Sequence, residues 1–218
     1  MVLRLARYLR VLQKLKGLGF VKVFSNNLGD AIGVTPAVVR KDFSIIGIPG
    51  NKRGGYNIDT LLEELVQVLG KSGTEEVIVV GCGRIGSALI NYREFQREGI
   101  RIVAGFDSEQ DRLDPEARVP IYHISELGPF VEERGIQVGV IAVPDAVATS
   151  VFELMIASGI RGVLNFTSVE LKCPVGCRDE ACNEQCSVHN VNIGLEIENL
   201  FYLIRMKQVA GEEAVTDA

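Results

Sequence analysis

The length, composition and charge of the chain are those of a globular protein with one large or two small domains. It has 218 residues, 47% of them hydrophobic and 23% charged, and a net charge of −5. Residues 1–17, MVLRLARYLRVLQKLKG, lack the apolar core of a secretion signal, and no apolar run elsewhere is long enough to span a bilayer. We therefore expect a cytoplasmic protein with no membrane partner. Structural disulfides are rare in that compartment, so clustered cysteines suggest a metal site, a redox switch or no function.

The charge is distributed unevenly along the chain. Residues 1–56 carry +8, whereas the remaining residues carry −13. A basic segment on an acidic body is typical of a nucleic-acid-binding module attached to a domain that binds none. The alternative is a solvated amphipathic helix with incidental cations.

The basic segment has the pattern of a winged helix-turn-helix. A first amphipathic helix is predicted over residues 3–15, followed by a short helix capped by Ser25 and ended by Gly33. Thr35 caps the next helix, with Pro36 in its first turn, and this cap makes it the candidate recognition helix. An amphipathic helix over residues 57–70 and a linker would complete this domain.

Four cations in this segment are candidates for contact with DNA. Arg40 and Lys41 lie on the predicted recognition helix, and Lys52 and Arg53 lie at the tip of a predicted hairpin, IPGNKRGGYNI, which would be the wing. The alternative for Arg40 and Lys41 is that they only solubilise a surface helix.

The acidic body has the pattern of a dinucleotide-binding fold. An apolar β-branched strand, residues 77–80, leads directly into Gly81, Gly83 and Gly86 and then into a helix, which is the context that this fingerprint requires. The next strand ends in Asp107, placed to accept hydrogen bonds from an adenosine ribose, and an acidic residue there favours NAD(H) over NADP(H). The later strands and helices alternate, which predicts an α/β fold with a doubly wound parallel sheet.

The C-terminal part of the chain argues against a dehydrogenase. Residues 192–207, NIGLEIENLFYLIRMK, form a helix too apolar for an exposed tail, so we expect it to pack on a partner subunit. Little of the chain remains for a substrate domain or an acid–base group. A small NAD-dependent oxidoreductase with an accessory basic domain nevertheless stays the alternative function.

The chain resembles the Rex family of redox-sensing transcriptional repressors over about residues 3–207. The segments that carry the resemblance are RYLRVLQKL, VRKDFSIIG, GGYN, VVGCGRIGSAL, FD, GVIAVP, GVLNF and NVNI. The resemblance implies a homodimer of three parts: a winged-helix DNA-binding domain (1–70), a Rossmann domain (71–190) and a C-terminal helix (191–210) exchanged between subunits. It also implies a regulator of the NADH/NAD+ ratio that is not an enzyme. NADH would misalign the two recognition helices, whereas the NAD+ or free form would fit a palindromic operator.

The resemblance also implies roles for individual residues. Arg40 and Lys41 would contact DNA, and Arg10 would couple the winged helix to the cofactor domain. Arg84 would line the phosphate loop, and Tyr92 would lie near a nicotinamide. The predicted cofactor site as a whole consists of Gly81, Gly83, Arg84, Ile85, Gly86, Tyr92, Asp107, Val143, Pro144 and Asn192.

Three features depart from the family pattern. The wing reads GNKRGGYN where GKRGVGYN is usual, so either Lys52 or Arg53 could read the groove. Asn192 stands where an acidic residue is common, and its amide cannot form the charged pair with Arg10 that helps such proteins distinguish cofactor states. The loop 173–186 carries four of the five cysteines of the chain.

The four cysteines can be read in several ways. Cys173, Cys177, Cys182 and Cys186 are separated by three, four and three residues and could complete a tetrahedral zinc site or ligate an iron–sulfur cluster. In a protein that responds to redox state we favour the iron–sulfur cluster over zinc. A thiol–disulfide switch and an absence of function remain, and the cysteines could even carry the primary signal.

Overall fold

The computed structural model describes residues 1–49, 54–70, 73–172 and 186–216, with side chains up to residue 206. The chain falls into two compact units, Met1–Glu75 and Glu76–Ala218. Each unit buries its own hydrophobic cluster.

The first unit is helical with a small two-stranded sheet. Its elements are α1 Val2–Gly17, β1 Lys22–Val23, α2 Ser25–Ile32, α3 Pro36–Ile45, β2 Tyr56–Asn57 and α4 Ile58–Val68. The apolar stripes predicted for α1 and α4 meet in one core, in which the buried side chains of these two helices are Leu5, Tyr8, Leu9, Leu12, Ile58, Leu61 and Leu65. Burying each such side chain stabilises the unit by roughly 1.5–3 kcal/mol.

The turn between α2 and α3 follows the predicted caps with one difference. Gly33 ends α2 in the left-handed region at φ 75°, and the side chain of Thr35 accepts the Val38 N–H at 3.4 Å. The prediction that Ser25 caps α2 was wrong by one residue, because the helix already includes Ser25. The Asn27 side chain instead accepts the Phe24 N–H at 3.2 Å and closes that end of the helix.

The strand of the predicted wing pairs with a distant part of the chain. Tyr56 and Asn57 form an antiparallel pair with Val23 and Lys22. The aromatic ring of Tyr56 packs edge-to-face on Phe43 of α3, 5.1 Å between centroids. The strand is therefore fixed to the helical core as well as to β1.

The second unit is a six-stranded sheet with helices on both faces. Its strands are β3 Glu75–Val80, β4 Ile100–Asp107, β5 Ile121–His123, β6 Val138–Ile141, β7 Gly162–Asn165 and β8 Ser187–Asn190, in the order β5-β4-β3-β6-β7-β8. Its helices are α5 Arg84–Ile90, α6 Glu94–Arg97, α7 Leu127–Arg134, α8 Asp145–Ala157 and α9 Ile193–Thr216. This order is that of a doubly wound dinucleotide-binding sheet, so the predicted α/β fold is confirmed.

The centre of the sheet is buried on both faces because its central strands are apolar on both. In β3, Ile78 and Val80 enter the larger cluster, whereas Val77 and Val79 enter a smaller one on the opposite face. Strands covered on both sides read as continuous β-branched runs, which is the pattern found in residues 77–80. The chain order reverses between β3 and β6, and ligands bind such sheets at the carboxyl ends of the strands beside that reversal.

The helix α9 follows β8 after a short turn. Its first turn is capped by Asn192, whose Oδ1 accepts the Leu195 N–H at 3.1 Å. The described side chains of α9 are exposed along both polar and apolar positions. None of the helices in the described residues combines the length and the apolar character needed to cross a membrane.

Candidate functional site

The glycine turn after β3 is built by steric requirements at two positions. Gly81 has φ 91°, and a Cβ there would lie 2.5 Å from the carbonyl oxygen of Ala142. A Cβ on Gly86 would overlap the carbonyl oxygen of Gly81, so α5 can approach the turn only with glycine at this position. Gly83 is different, because nothing lies within 4 Å of its Cβ position. The space above Gly83 leaves its backbone open to a ligand such as a pyrophosphate.

Asp107 ends β4 beside this turn and is 5% exposed. Its Oδ2 accepts the backbone N–H of Cys82 at 2.7 Å, and its Oδ1 accepts that of Glu109 at 3.0 Å. Burial by itself would raise the pKa of Asp107, but these N–H groups and the Arg112 guanidinium outweigh it and lower the pKa. The carboxylate therefore stays ionised and is held in one orientation.

A cleft of about 710 Å³ opens over the glycine turn. Seven of the residues predicted for the cofactor site line it: Gly81, Gly83, Arg84, Ile85, Asp107, Val143 and Pro144. The glycine turn forms the bottom of the cleft, and the buried carboxylate of Asp107 lies at one end. The connection between β6 and α8 forms an apolar side. A ligand that is partly apolar, carries hydroxyl donors and has a phosphate would find a suitable group for each part.

Three other predicted residues do not line this cleft within the described chain. Gly86 lies beneath the turn and shapes it from below. Tyr92 is exposed and packs edge-to-face on Phe95, at 5.0 Å between centroids. Asn192 caps α9. The roles of Tyr92 and Asn192 at the cofactor remain predictions for an assembly of two chains.

Sequence reasoning missed Arg112. Its Nη1 lies 3.2 Å from Oδ2 and 3.4 Å from Oδ1 of Asp107, and its side chain lines the cleft. The signal was an arginine five positions after the acidic residue, on a short 3-10 turn of residues 110–112. Without the turn, that spacing does not show that the guanidinium points back to the carboxylate.

The thiol of Cys82 in the glycine turn is structural. It is 4% exposed, and its Sγ lies 3.6 Å from the carbonyl oxygen of Phe106. Burial raises its pKa to about 12. A thiol with so high a pKa is protonated near neutral pH and is a poor nucleophile.

The predicted recognition helix α3 presents its cations outward. Val39, Asp42 and Phe43 are buried, whereas Arg40 and Lys41 are exposed. Arg40 Nη1 donates to the Ser25 Oγ of α2 at 3.2 Å, which restrains the guanidinium over the turn. Lys52 and Arg53 lie outside the described residues.

Arg10 lies on α1 beside a groove of about 420 Å³ within the first unit. The groove is lined by Arg7, Arg10 and Val11 of α1 and by Ala31, Ile32 and Gly33 at the end of α2. The predicted coupling of Arg10 to the cofactor domain remains a prediction.

The four-cysteine loop lies mostly outside the described residues. Cys173, Cys177 and Cys182 lie outside the described residues, whereas Cys186 is half-buried against the core of the sheet. Among the described residues, no group of three or more metal-ligating side chains is found.

Fold and site together define a class of protein, in which a helical unit with an exposed basic helix is joined to a doubly wound nucleotide-binding unit. Two family models match the chain: "CoA binding domain" over residues 72–169 and "Putative DNA-binding protein N-terminus" over residues 1–44. The redox-sensing transcriptional repressor Rex of Desulforamulus reducens is 32% identical over 208 residues, 95% of each chain. The chain therefore belongs to the Rex family of redox-sensing transcriptional repressors.

Solved structures agree with this assignment. RSP is a Rex-family repressor. Its complex with β-NAD+ and operator DNA superimposes with a TM-score of 0.80 at 25% identity, over 99% of this chain and 95% of that chain. RSP in complex with β-NADH gives a TM-score of 0.76 at 25% identity, over 96% and 94%. The predicted resemblance to the Rex family is confirmed. The family consists of repressors and not enzymes, which removes the ground for the oxidoreductase alternative.

Proposed function

We propose that this chain is a dimeric repressor that binds a palindromic operator and is released from it when NADH occupies the cleft. The observation that carries the proposal is the cleft over the glycine turn, with a buried ionised Asp107 at one end, in the same chain as an exposed basic helix. RSP has been solved both with NADH and with NAD+ on operator DNA. A repressor acts where its operator lies, so the proposal also assigns the chain to the cytoplasm.

The residues of the cleft suit NAD(H) part by part. Asp107 can accept ribose hydroxyls, the open backbone at Gly83 admits the pyrophosphate, and Arg84 adds a cation near the two phosphates. Val143 and Pro144 supply an apolar wall. On the DNA side, the exposed Arg40 and Lys41 would contact base edges or phosphates, and Lys52 or Arg53 would enter a neighbouring groove.

In such a mechanism the dimer has one form that binds the operator and one that does not. Release by NADH requires that NADH binds the second form more tightly than the first, and that NAD+ does not share this preference. A ligand that binds both forms equally shifts no equilibrium, however tightly it binds. The two cofactors differ in the charge and planarity of the nicotinamide ring, so the discriminating contacts must lie at that end. The adenosine end, at Asp107, would anchor both cofactors alike.

The experiment measures operator affinity against the cofactor ratio. A palindromic operator is first selected by the full-length protein from a pool of random duplexes, and its binding is then followed by fluorescence anisotropy. At saturating NADH the affinity should fall, whereas NAD+ should leave it unchanged or raise it. Unchanged operator affinity at full NADH occupancy would contradict the proposal.

We further propose that the four cysteines give this repressor a second input, with an iron–sulfur cluster as the favoured group and zinc as the alternative. The support is the donor set, four thiols within fourteen residues. The loop leads through β8 into α9, so a change there could act on the dimer.

The test is purification under reducing, oxygen-free conditions. An iron–sulfur protein should be brown with broad visible absorption, and a Cys177→Ser variant should lose that absorption together with part of its DNA or NADH response. A colourless protein with stoichiometric zinc would make the loop a structural site. A metal-free protein would leave a thiol–disulfide switch or no function.

A further inference from the structure

The carboxylate of Asp107 has all its acceptor positions in use. Its Oδ2 accepts from Cys82 N–H at 2.7 Å and from Arg112 Nη1 at 3.2 Å. Its Oδ1 accepts from Glu109 N–H at 3.0 Å and from the same Nη1 at 3.4 Å. An ionised carboxylate offers about four lone-pair positions, two on each oxygen. One side chain, that of Arg112, therefore spans one position on each oxygen.

The four hydrogen bonds are not equally replaceable. Those from Cys82 and Glu109 come from the backbone, and one of these residues belongs to the glycine turn itself. The bonds from Arg112 come from a long side chain that is 44% exposed and rests on a surface turn. A ribose diol brings two hydroxyl donors to such a carboxylate. It can gain its acceptor positions only by replacing Arg112.

We propose that Arg112 is a displaceable occupant of the ribose subsite and sets the preference of the site between NAD(H) and NADP(H). The inference rests on the proposed function, since it requires that NAD(H) binds in this cleft. The ribose of the cofactor replaces Arg112 on Asp107, and the freed guanidinium stays beside the 2′ position. A cation there accommodates a 2′-phosphate that the carboxylate alone would repel.

Two opposite effects follow from this arrangement. Arg112 weakens NADH binding, because its hydrogen bonds to Asp107 must first be broken. It strengthens NADPH binding, because it partly neutralises Asp107 and can pair with the extra phosphate. The pair is solvent-exposed on one side, and such ion pairs change equilibria by roughly fivefold or less.

The experiment compares full-length wild type with Arg112→Met, which keeps most of the aliphatic stem and removes the cation. Dissociation constants for NADH and NADPH are measured by isothermal titration calorimetry without DNA. In the variant the NADH constant should fall by about threefold and the NADPH constant should rise by about threefold, a change in their ratio of about tenfold. Arg112→Ala should shift the ratio in the same direction.

Arg97→Met is the matched control. Arg97 also donates to a carboxylate, that of Glu94 at 2.8 Å, and its loss changes the net charge equally, but it does not line the cleft. Both dissociation constants should be unchanged in this control. An unchanged ratio in both Arg112 variants, or weaker NADH binding in them, would overturn the inference while leaving the proposed function standing. Wild-type protein that binds no NADH would overturn both.

Discussion

At the scale of single residues, the first unit depends on one buried acid. Asp42 is 2% exposed and accepts two hydrogen bonds from Arg4, at 2.7 and 2.8 Å, and one from the Tyr8 hydroxyl at 3.1 Å. The hydrogen bond from Arg4 is the main cause that lowers the pKa of Asp42; burial opposes it and Tyr8 adds to it. Burial and Asp42 raise the pKa of Tyr8 to about 12, so the hydroxyl remains a donor. The network joins α1 to the predicted recognition helix α3.

We predict that Asp42→Asn destabilises the protein by about 1–3 kcal/mol near neutral pH, because it removes charge-assisted hydrogen bonds in a buried position. The pKa of Asp42 is lower in the folded state than the unfolded value of about 3.9. Its stabilisation is therefore present above that value and is lost as the pH falls through the folded pKa. The free energy of unfolding, measured with urea, should fall more between pH 5 and pH 3 for wild type than for the variant.

The exposed Asp30→Asn makes the same chemical change on α2 and serves as the control. It should leave the stability near neutral pH as in wild type. The lowered pKa of Asp107 is common to all these proteins, so it cancels in the comparison. Equal acid sensitivity in wild type and Asp42→Asn would contradict the prediction.

Gly83 allows a test of the cleft that leaves the fold intact. Its φ of −66° is negative, and nothing lies within 4 Å of its Cβ position. We predict that Gly83→Val keeps the melting temperature but weakens NADH binding by about tenfold or more, since the side chain fills the path of the pyrophosphate. Gly81→Ala, which would clash with Ala142, should instead lower the melting temperature. Unimpaired NADH binding by Gly83→Val would remove this turn from the site.

At the scale of elements, the helix-turn-helix separates its packing face from its outward face. The helix α3 buries Val39, Asp42 and Phe43 and directs Arg40 and Lys41 away from the core. Substitutions on the outward face should thus change DNA binding without changing the fold. The structure supplies one local restraint on that face, the hydrogen bond from Arg40 to Ser25.

We predict that Arg40→Ala and Lys41→Ala each weaken operator binding while NADH affinity stays unchanged. Each lost phosphate contact should lower the slope of log K against log salt by about one. Anisotropy titrations over a salt series measure both quantities. Lys16→Ala is the control, because Lys16 pairs with Asp59 at 2.7 Å. An unchanged affinity and slope in both α3 variants would exclude these residues from the interface.

Two asparagines tie the strand before α9 to the chain before the cysteine loop. Asn165 is fully buried and donates to the Asn190 Oδ1 at 2.7 Å and to the Val169 carbonyl at 2.7 Å. Asn190 in turn bonds both backbone groups of Leu171, at 3.0 and 3.1 Å. These hydrogen bonds connect the segment that precedes the cysteine loop to the ends of β7 and β8, close to the start of α9.

At the scale of the whole molecule, α9 leaves a set of large apolar side chains exposed. They are Ile193, Leu195, Ile197, Leu200, Phe201, Tyr202, Leu203, Ile204 and Met206. A single chain that exposes so many neighbouring apolar groups needs a partner to cover them. We predict that this partner is a second copy of the chain, as expected for an exchanged C-terminal helix.

We predict that replacing Leu200 and Ile204 together by glutamate converts the dimer to a monomer. The two residues are four apart and share one helix face, and burying two charges there would be costly. Sedimentation equilibrium measures the mass, and operator binding should fall with it because one chain can engage only one half-site. A dimer that persists in this variant would exclude this face of α9 from the interface.

Asn192 gives a second test at this scale. Its cap on α9 can be made equally by aspartate, so Asn192→Asp adds a charge without removing the hydrogen bond to Leu195. We predict a larger difference between NADH and NAD+ in their effect on operator binding in the variant, because a charged pair with Arg10 becomes available. Equal discrimination in the two proteins would contradict this prediction.

The sequence by itself determined the helix periods, the Gly33 and Thr35 caps, the α/β class, the glycine turn and Asp107. These depend on side-chain period, backbone conformation and local spacing, which are readable within a few residues. Only the tertiary structure decided that Asp42 is buried against Arg4, that Tyr56 pairs with Val23, and that Arg112 shares the carboxylate of Asp107. The first two of these contacts join residues more than thirty positions apart. The third depends on how a surface turn folds back. No local pattern encodes such contacts, because they arise only when the separate elements pack together.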